Sequence, residues 1–130
     1  MNKCIFMGRL VKDPEVRYIA NTQKAVVDFT IAVNRDYKNK EGKYDSDFFN
    51  CVAFDKRAEI IGNSFSKGSR ILVWGAMRQE KWQDKDGNNR TTYKLYVEGF
   101  EFTESAKDKA VAAAKSVGSS FDALGEEVDF

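Results

Sequence analysis

Aromatic side chains that lie close to basic ones in the chain are the residues best suited to chemistry in this sequence. An exposed ring gains when a flat ligand covers it, and base stacking contributes about 1–3 kcal/mol per base for any base. Neighbouring lysines and arginines can neutralise the accompanying phosphates. The predicted stacking residues are Tyr37, Phe48, Phe54, Trp74 and Trp82. The predicted phosphate-binding residues are Arg35, Lys56, Arg78 and Lys81. The pattern predicts a surface that binds single-stranded nucleic acid.

Each ring also has a purely structural interpretation. Phe48 and Phe54 could belong to a core, but Phe48 precedes Phe49, and adjacent strand residues point to opposite faces. One of that pair must therefore face outward unless both surfaces of the sheet are covered. Trp82 stands beside a polar hairpin and is poorly placed for a core, whereas Trp74 could pack at a subunit interface instead.

Histidine and the common catalytic and metal-binding motifs are missing from the sequence. There is no His, so the commonest general base is absent. Cys4 and Cys51 lie singly in apolar runs, which predicts two buried free thiols in a reducing compartment. Neither has the nearby second cysteine of a metal site, and no nucleophile elbow or glycine-rich phosphate loop is present. We predict no enzyme activity, no catalytic residue, no metal and no cofactor.

Alternating apolar and polar residues predict strands through the first hundred residues. The clearest alternation covers residues 25–34, where period two persists over ten residues. The five predicted strands cover residues 3–11, 25–34, 47–54, 70–77 and 91–102. The polar segment at 39–43 reads as a loop, and the segment at 84–89 reads as the loop of a hairpin.

One helix is predicted between the third and fourth strands. Ala58, Ile61 and Phe65 form an apolar stripe at helical spacing. Asp55 is the predicted N-cap and Gly68 the predicted C-terminal cap. Short strands with one helix in this position point to an all-β fold, a five-stranded OB-fold Greek-key barrel. Composition alone does not separate this from an SH3-like barrel.

The chain changes character after residue 103. Residues 104–120 are rich in Ala, Lys and Ser without a broad apolar face, which predicts a flexible linker after a domain at 1–103. Residues 121–130 contain four acidic residues and no basic one, so the other 120 residues carry 21 basic and 16 acidic side chains, a charge of +5. A basic body with an acidic end indicates a polyanionic partner.

The acidic segment is a candidate ligand for partner proteins. Phe130 could fill an apolar pocket while neighbouring carboxylates meet Arg or Lys. The predicted partner-binding residues are Glu126, Glu127, Val128, Asp129 and Phe130. A tail that only raises solubility is the alternative. No apolar run approaches the ~20 residues of a membrane span, and no signal peptide is visible, so we expect a cytoplasmic protein without a membrane partner.

Several segments resemble the bacterial and phage single-stranded-DNA-binding proteins, over about residues 1–103 and again at the C-terminus. The similar segments are 1–3, 8–10, 13–18, 29–35, 47–54 and 67–69, together with Gly75. The resemblance implies an OB-fold, a homotetramer and a protein that coats single strands during replication, recombination and repair. It implies base stacking at Tyr37, Phe48, Phe54 and Trp82.

Two departures from that family bear on the site and the tail. The family often has Trp where this chain has Phe48, which predicts a smaller platform and weaker stacking. Its acidic tip ends in Pro-Phe and docks onto replication and repair enzymes, whereas here Asp129 precedes Phe130 and the linker is short. An OB-fold accessory module of a replication-restart or helicase-loading complex and an RNA-binding OB domain are the alternative functions.

Overall fold

The period-two patterns fold into a barrel of strands with one helix packed on it. The computed structural model describes residues 1–104. The elements are β1 (Cys4–Leu10), β2 (Glu15–Tyr18), β3 (Ala25–Lys38), β4 (Tyr44–Phe54), α1 (Asp55–Ser64), β5 (Arg70–Gln83) and β6 (Asn89–Phe102).

Five of the strands close into the barrel. Their order is β1-β5-β6-β4-β3, and β1 then pairs with β3 to complete the circle. Among the described strands, only β4 and β6 pair in parallel. Gly8 lies at the closure, where a Cβ would come within 2.6 Å of the Ala32 carbonyl oxygen, so a side chain there would hold the strands apart. The predicted all-β OB-fold barrel is confirmed, with α1 between its third and fourth strands.

The sequence patterns underestimated the extent of the strands. β2 pairs with β3 outside the barrel, and its four residues are too few to show a period. β5 runs to Gln83 rather than residue 77, and β6 begins at Asn89 rather than residue 91. Exposed cross-strand pairs such as Lys81–Thr91 lengthen this hairpin beyond the barrel. Polar side chains on both faces leave no hydrophobic period to detect there.

One face of every barrel strand supplies the core. Residues 27, 29 and 31 of β3 are at most 3% exposed, as the alternation predicts. Cys51 is buried, and desolvation raises the pKa of its thiol to about 12. Cys4 is only half-buried, because it lies at the start of β1. Both cysteines are free, so the prediction of buried free thiols is correct for Cys51 and overstates the burial of Cys4.

The helix stripe is confirmed, but both predicted caps are wrong. Ala58, Ile61 and Phe65 are at most 6% exposed. Phe54 is the N-cap residue, because β4 continues to it and leaves no loop; Asp55 is the first residue of α1 and makes the bend from strand to helix with a left-handed φ of 59°. The helix ends at Ser64. Gly68, with a φ of 87°, lies in the following turn and donates its N–H to Leu10.

A side chain from β2 explains the glycine inside the helix. A Cβ at Gly62 would collide with the side chain of Val16, which packs against α1 there. The missing side chain therefore allows a close contact between helix and strand. Among residues 1–104, no helix is long and apolar enough to cross a membrane.

Candidate nucleic-acid interface

The barrel surface opposite the core carries most of the predicted stacking residues. We call the outward-facing side chains of β3, β4, β5 and β6 the outer face. Phe48 is 55% exposed there, while its neighbour Phe49 points inward and stacks on Phe6 at 4.3 Å between ring centroids. Phe54, six positions further along β4, is 36% exposed on the same face. The alternation thus places two rings outward, about 20 Å apart along the strand.

A third ring stands at the end of the β5–β6 hairpin. Trp82 is 48% exposed and pairs across the strands with Arg90. It lines an open cavity of about 480 Å³ with Lys81, Gln83, Asn89, Arg90 and Thr91. By strand alternation Trp82 shares the outer face with Arg78, whereas Lys81 points to the opposite side of the hairpin. A cavity of this volume falls within the roughly 300–1,000 Å³ range of small-ligand sites.

Arg35 and Tyr37 lie near the end of β3, by the loop that leads into β4. Tyr37 is 66% exposed. Arg35 donates to both carboxylate oxygens of Asp47, at 3.0 and 2.9 Å. The hydrogen bonds from Arg35 hold the pKa of Asp47 below its ordinary value, and Asp47 in turn raises the pKa of Arg35. The predicted phosphate-binding guanidinium is therefore already engaged by a carboxylate.

A charged cluster crosses the middle of the outer face. Asp28 accepts from Arg17 at 2.8 Å and from Lys94 at 3.3 Å. Burial by itself would raise the pKa of Asp28, but the hydrogen bonds from the two cations outweigh it and the pKa lies below its usual value. Thr30 donates to Asn50 beside this cluster, at 2.8 Å. Lys94, absent from the predicted set, is thus a cation between the Phe48 and Phe54 platforms.

Tyr96 is the ring that sequence reasoning missed. It stacks on Phe54 at 6.0 Å between centroids, and the Cζ atom of Arg78 lies 4.4 Å from its ring centre. Its hydroxyl donates to Glu80 at 2.9 Å, and this hydrogen bond raises the phenol pKa. The alternation of β6 indicates that Tyr96 faces outward. Its neighbours depend on the parallel pairing of β4 with β6, which no local pattern reveals.

Trp74 also faces outward from β5, but it lies four positions before Arg78, where β5 pairs with β1. It pairs with Ile5 on β1 and with Gly99 on β6. A Cβ at Gly99 would collide with the indole ring, so the ring covers the glycine and is half-buried. Ile5 beside it is 67% exposed. Trp74 therefore belongs to an apolar surface on β1 and β5.

The remaining predicted residues divide between the helix and the C-terminal segment. Lys56 is exposed in the first turn of α1, two positions after Phe54. Glu126, Glu127, Val128, Asp129 and Phe130 lie outside the described residues. Within the described part of the chain, no cluster of three or more His, Cys, Asp or Glu residues could hold a metal ion.

Comparison with known proteins identifies relatives along most of the chain. A model of the single-strand binding protein family matches residues 1–103. The chain is 41% identical over 110 residues to a single-stranded DNA-binding protein of Clostridium perfringens, covering 85% of this chain and 71% of the relative. It is 41% identical over 111 residues to single-stranded DNA-binding protein 2 of Clostridium acetobutylicum, covering 85% and 83%. Single-stranded DNA-binding protein 1 of Streptococcus pyogenes is 34% identical over 129 residues, covering 99% and 97%.

Proposed function

Because this chain belongs to the single-strand binding protein family, whose members are binding proteins and not enzymes, we propose that it binds single-stranded DNA with little sequence preference. The observation that carries the proposal is the exposure of Phe48, Phe54 and Trp82 on one face of a barrel whose core is filled by other residues. Aromatic rings held outward in water can gain from stacking by any base, which favours binding without sequence preference.

The spacing of the rings supports binding of several nucleotides rather than one. Phe48 and Phe54 are about 20 Å apart, far more than the roughly 3.4 Å rise per nucleotide in one strand of duplex DNA. The DNA between the two platforms would cross Lys94 and the Thr30–Asn50 hydrogen bond. Lys94 would then meet a phosphate along this path, and Arg78 and Arg90 would meet phosphates further toward Trp82 at the end of the hairpin.

A titration tests the proposal directly. Labelled oligothymidine is added to the protein while Trp fluorescence is followed, and Trp82 is expected to be quenched as a base stacks on it. Log–log plots of affinity against salt should fall by about 0.7 for each phosphate neutralised. Absence of binding at moderate salt would refute the proposal. Equal binding to duplex would favour a helicase-loading accessory module, and equal binding to RNA would favour an RNA-binding domain.

We also propose that the chain forms a homo-oligomer, with a tetramer as the expected state. Within the described residues, β1 pairs with β5 over Cys4–Arg9 but with β3 only at Arg9 and Leu10, so most of one strand edge carries unpaired backbone groups. Ile5 and Trp74 lie on the adjoining surface. An open edge beside apolar side chains suits pairing with a second copy. Light scattering with and without oligonucleotide measures the state, and a monomer in both would refute this part.

Roles in replication, recombination and repair would follow from coating exposed strands and recruiting partners through residues 126–130. The acids of this segment would meet basic side chains while Phe130 enters an apolar pocket. Deleting residues 121–130 should leave oligothymidine binding intact and abolish co-purification of replication and repair proteins. Unchanged co-purification would refute the partner role without affecting the DNA-binding proposal.

A further inference from the structure

Three side chains from three different strands form a continuous stack on the outer face. The Phe54 ring from β4 contacts Tyr96 from β6, and the Arg78 guanidinium from β5 covers the Tyr96 ring. The two separations are 6.0 and 4.4 Å, so the guanidinium carbon lies within about 10 Å of the Phe54 ring centre. This interval is at most about three times the roughly 3.4 Å rise per nucleotide, so a base on Phe54 and a phosphate at Arg78 can belong to the same short stretch of DNA.

Tyr96 is held in this position from several directions. Its hydroxyl donates to Glu80, whose carboxylate also lies 3.9 Å from the Lys94 ammonium group. Phe54 contacts the ring, and Arg78 lies over it as a cation–π partner. The barrel core does not use this side chain, because Tyr96 faces away from it while its neighbours Leu95 and Val97 are buried. A side chain fixed by several partners outside the core suits a role in arranging those partners.

We propose that Tyr96 is a positioning residue that couples the Phe54 stacking ring to the Arg78 guanidinium. A strand whose base stacks on Phe54 then places a neighbouring phosphate at Arg78. Holding both groups in place before binding lowers the entropy lost when the DNA is ordered. This inference rests on the proposed function, since it assigns the division of labour within the same DNA-binding site.

A double-mutant cycle in two backgrounds tests the coupling. Oligothymidine affinity is measured for Phe54→Ala, Arg78→Gln and the double variant, first with Tyr96 present and then with Tyr96→Val. With Tyr96 present, the loss in the double variant should differ from the product of the single losses by at least about twofold, as expected of coupled neighbours. In the Tyr96→Val background the loss of affinity in the double variant should equal the product of the two single losses. Tyr96→Phe retains the ring and should retain the coupling.

A matched cycle and a stability measurement separate coupling from a general weakening of the fold. Phe48→Ala combined with Arg78→Gln serves as the control, because Phe48 lies about 20 Å along β4 from Phe54; its losses should multiply in both backgrounds. All variants are compared below their measured unfolding temperatures, and Tyr96→Leu replaces Tyr96→Val if the latter does not fold. If Tyr96 had only a structural role, the Tyr96→Val substitution would weaken binding by the same factor in every variant of both cycles.

The outcomes distinguish this inference from the proposed function. If the wild-type protein does not bind oligothymidine, the proposed function itself fails. If the wild type binds but the Phe54 and Arg78 losses multiply with Tyr96 present, the positioning role of Tyr96 is overturned and the DNA-binding proposal stands. Equal coupling in the wild-type and Tyr96→Val backgrounds also overturns it, since another route must then connect the two groups.

Discussion

The indole ring of Trp74 lies across Gly99, where a Cβ would collide with it. A methyl group at residue 99 should push the Trp74 ring outward, because the atoms it would meet belong to the end of that side chain and not to the backbone. We expect Gly99→Ala to fold and to shift Trp74 emission to longer wavelength. The measurement uses a Trp82→Phe background, so that Trp74 alone reports.

Gly75→Ala provides the contrast, because its Cβ would collide with the backbone carbonyl of Tyr96 rather than with a side chain. The Tyr96 carbonyl cannot move aside as a side chain can, and overpacking of this kind typically lowers the unfolding free energy by about 1–3 kcal/mol. Urea denaturation should show a larger loss of unfolding free energy for Gly75→Ala than for Gly99→Ala. The reverse order would contradict this account of the two glycines.

Removing one stacking ring should weaken DNA binding without unfolding the protein. Phe54→Ala or Trp82→Ala should each cost about 1–3 kcal/mol of binding free energy, or roughly 5- to 150-fold in affinity. Fluorescence anisotropy with labelled oligothymidine measures the loss. Tyr93→Ala is the matched control: Tyr93 is 59% exposed, but alternation places it on the face of β6 opposite Tyr96. A loss at Tyr93 equal to that at Phe54 would argue against the outer face as the binding surface.

Asp47 should restrain DNA binding by occupying Arg35. The carboxylate accepts both guanidinium hydrogen bonds, so a phosphate has to compete with it. We expect Asp47→Asn to tighten oligothymidine binding by up to about fivefold, the range of exposed ion pairs. Arg35→Gln should weaken binding and reduce the salt slope by about 0.7. Weaker binding by Asp47→Asn would instead assign Asp47 the task of holding Arg35 in a productive position.

Asp28 should make stability depend on pH in the acid range. Its pKa in the folded protein lies below the usual value because Arg17 and Lys94 outweigh the cost of burial. A lowered folded pKa contributes stability above the unfolded value of about 3.9, and the contribution is lost as pH falls through the folded pKa. Between about pH 5 and 2, the unfolding free energy of Asp28→Asn should fall less steeply than that of the wild type. Parallel curves in urea denaturation would contradict the assignment.

Glu104 should stabilise the barrel although the predicted linker begins there. Its side chain is 6% exposed, lies 3.2 Å from the Arg9 guanidinium and accepts the backbone N–H of Arg70 at 2.6 Å. Breaking one partner of a buried ion pair costs about 3–5 kcal/mol. Glu104→Ala should lower the unfolding free energy by that amount, whereas the exposed Glu101→Ala should have little effect. Similar losses in the two variants would show that Glu104 is not a structural anchor.

The alternation in β3 and β4 determined which side chains share a face of each strand, because a pleated strand sends successive side chains to opposite faces. It placed Phe48 and Phe54 together and Phe49 opposite them, whereas the fold decided that residues 27, 29 and 31 line the core and that Phe48 and Phe54 face outward. The helix stripe followed in the same way from the 3.6-residue period. The position of the N-cap did not follow from the sequence, because Phe54 remains paired with Val26 and β4 runs directly into the helix.

Relationships between strands were decided only by the tertiary structure. Tyr96 meets Phe54 because β4 and β6 lie side by side in parallel, although the two residues are far apart in sequence. Arg35 and Asp47, or Asp28 and Lys94, are likewise joined by strand pairing. A periodic pattern is a local property that gives the side each residue faces. Which residues become neighbours depends on strand order and register, and these arise only when the barrel closes.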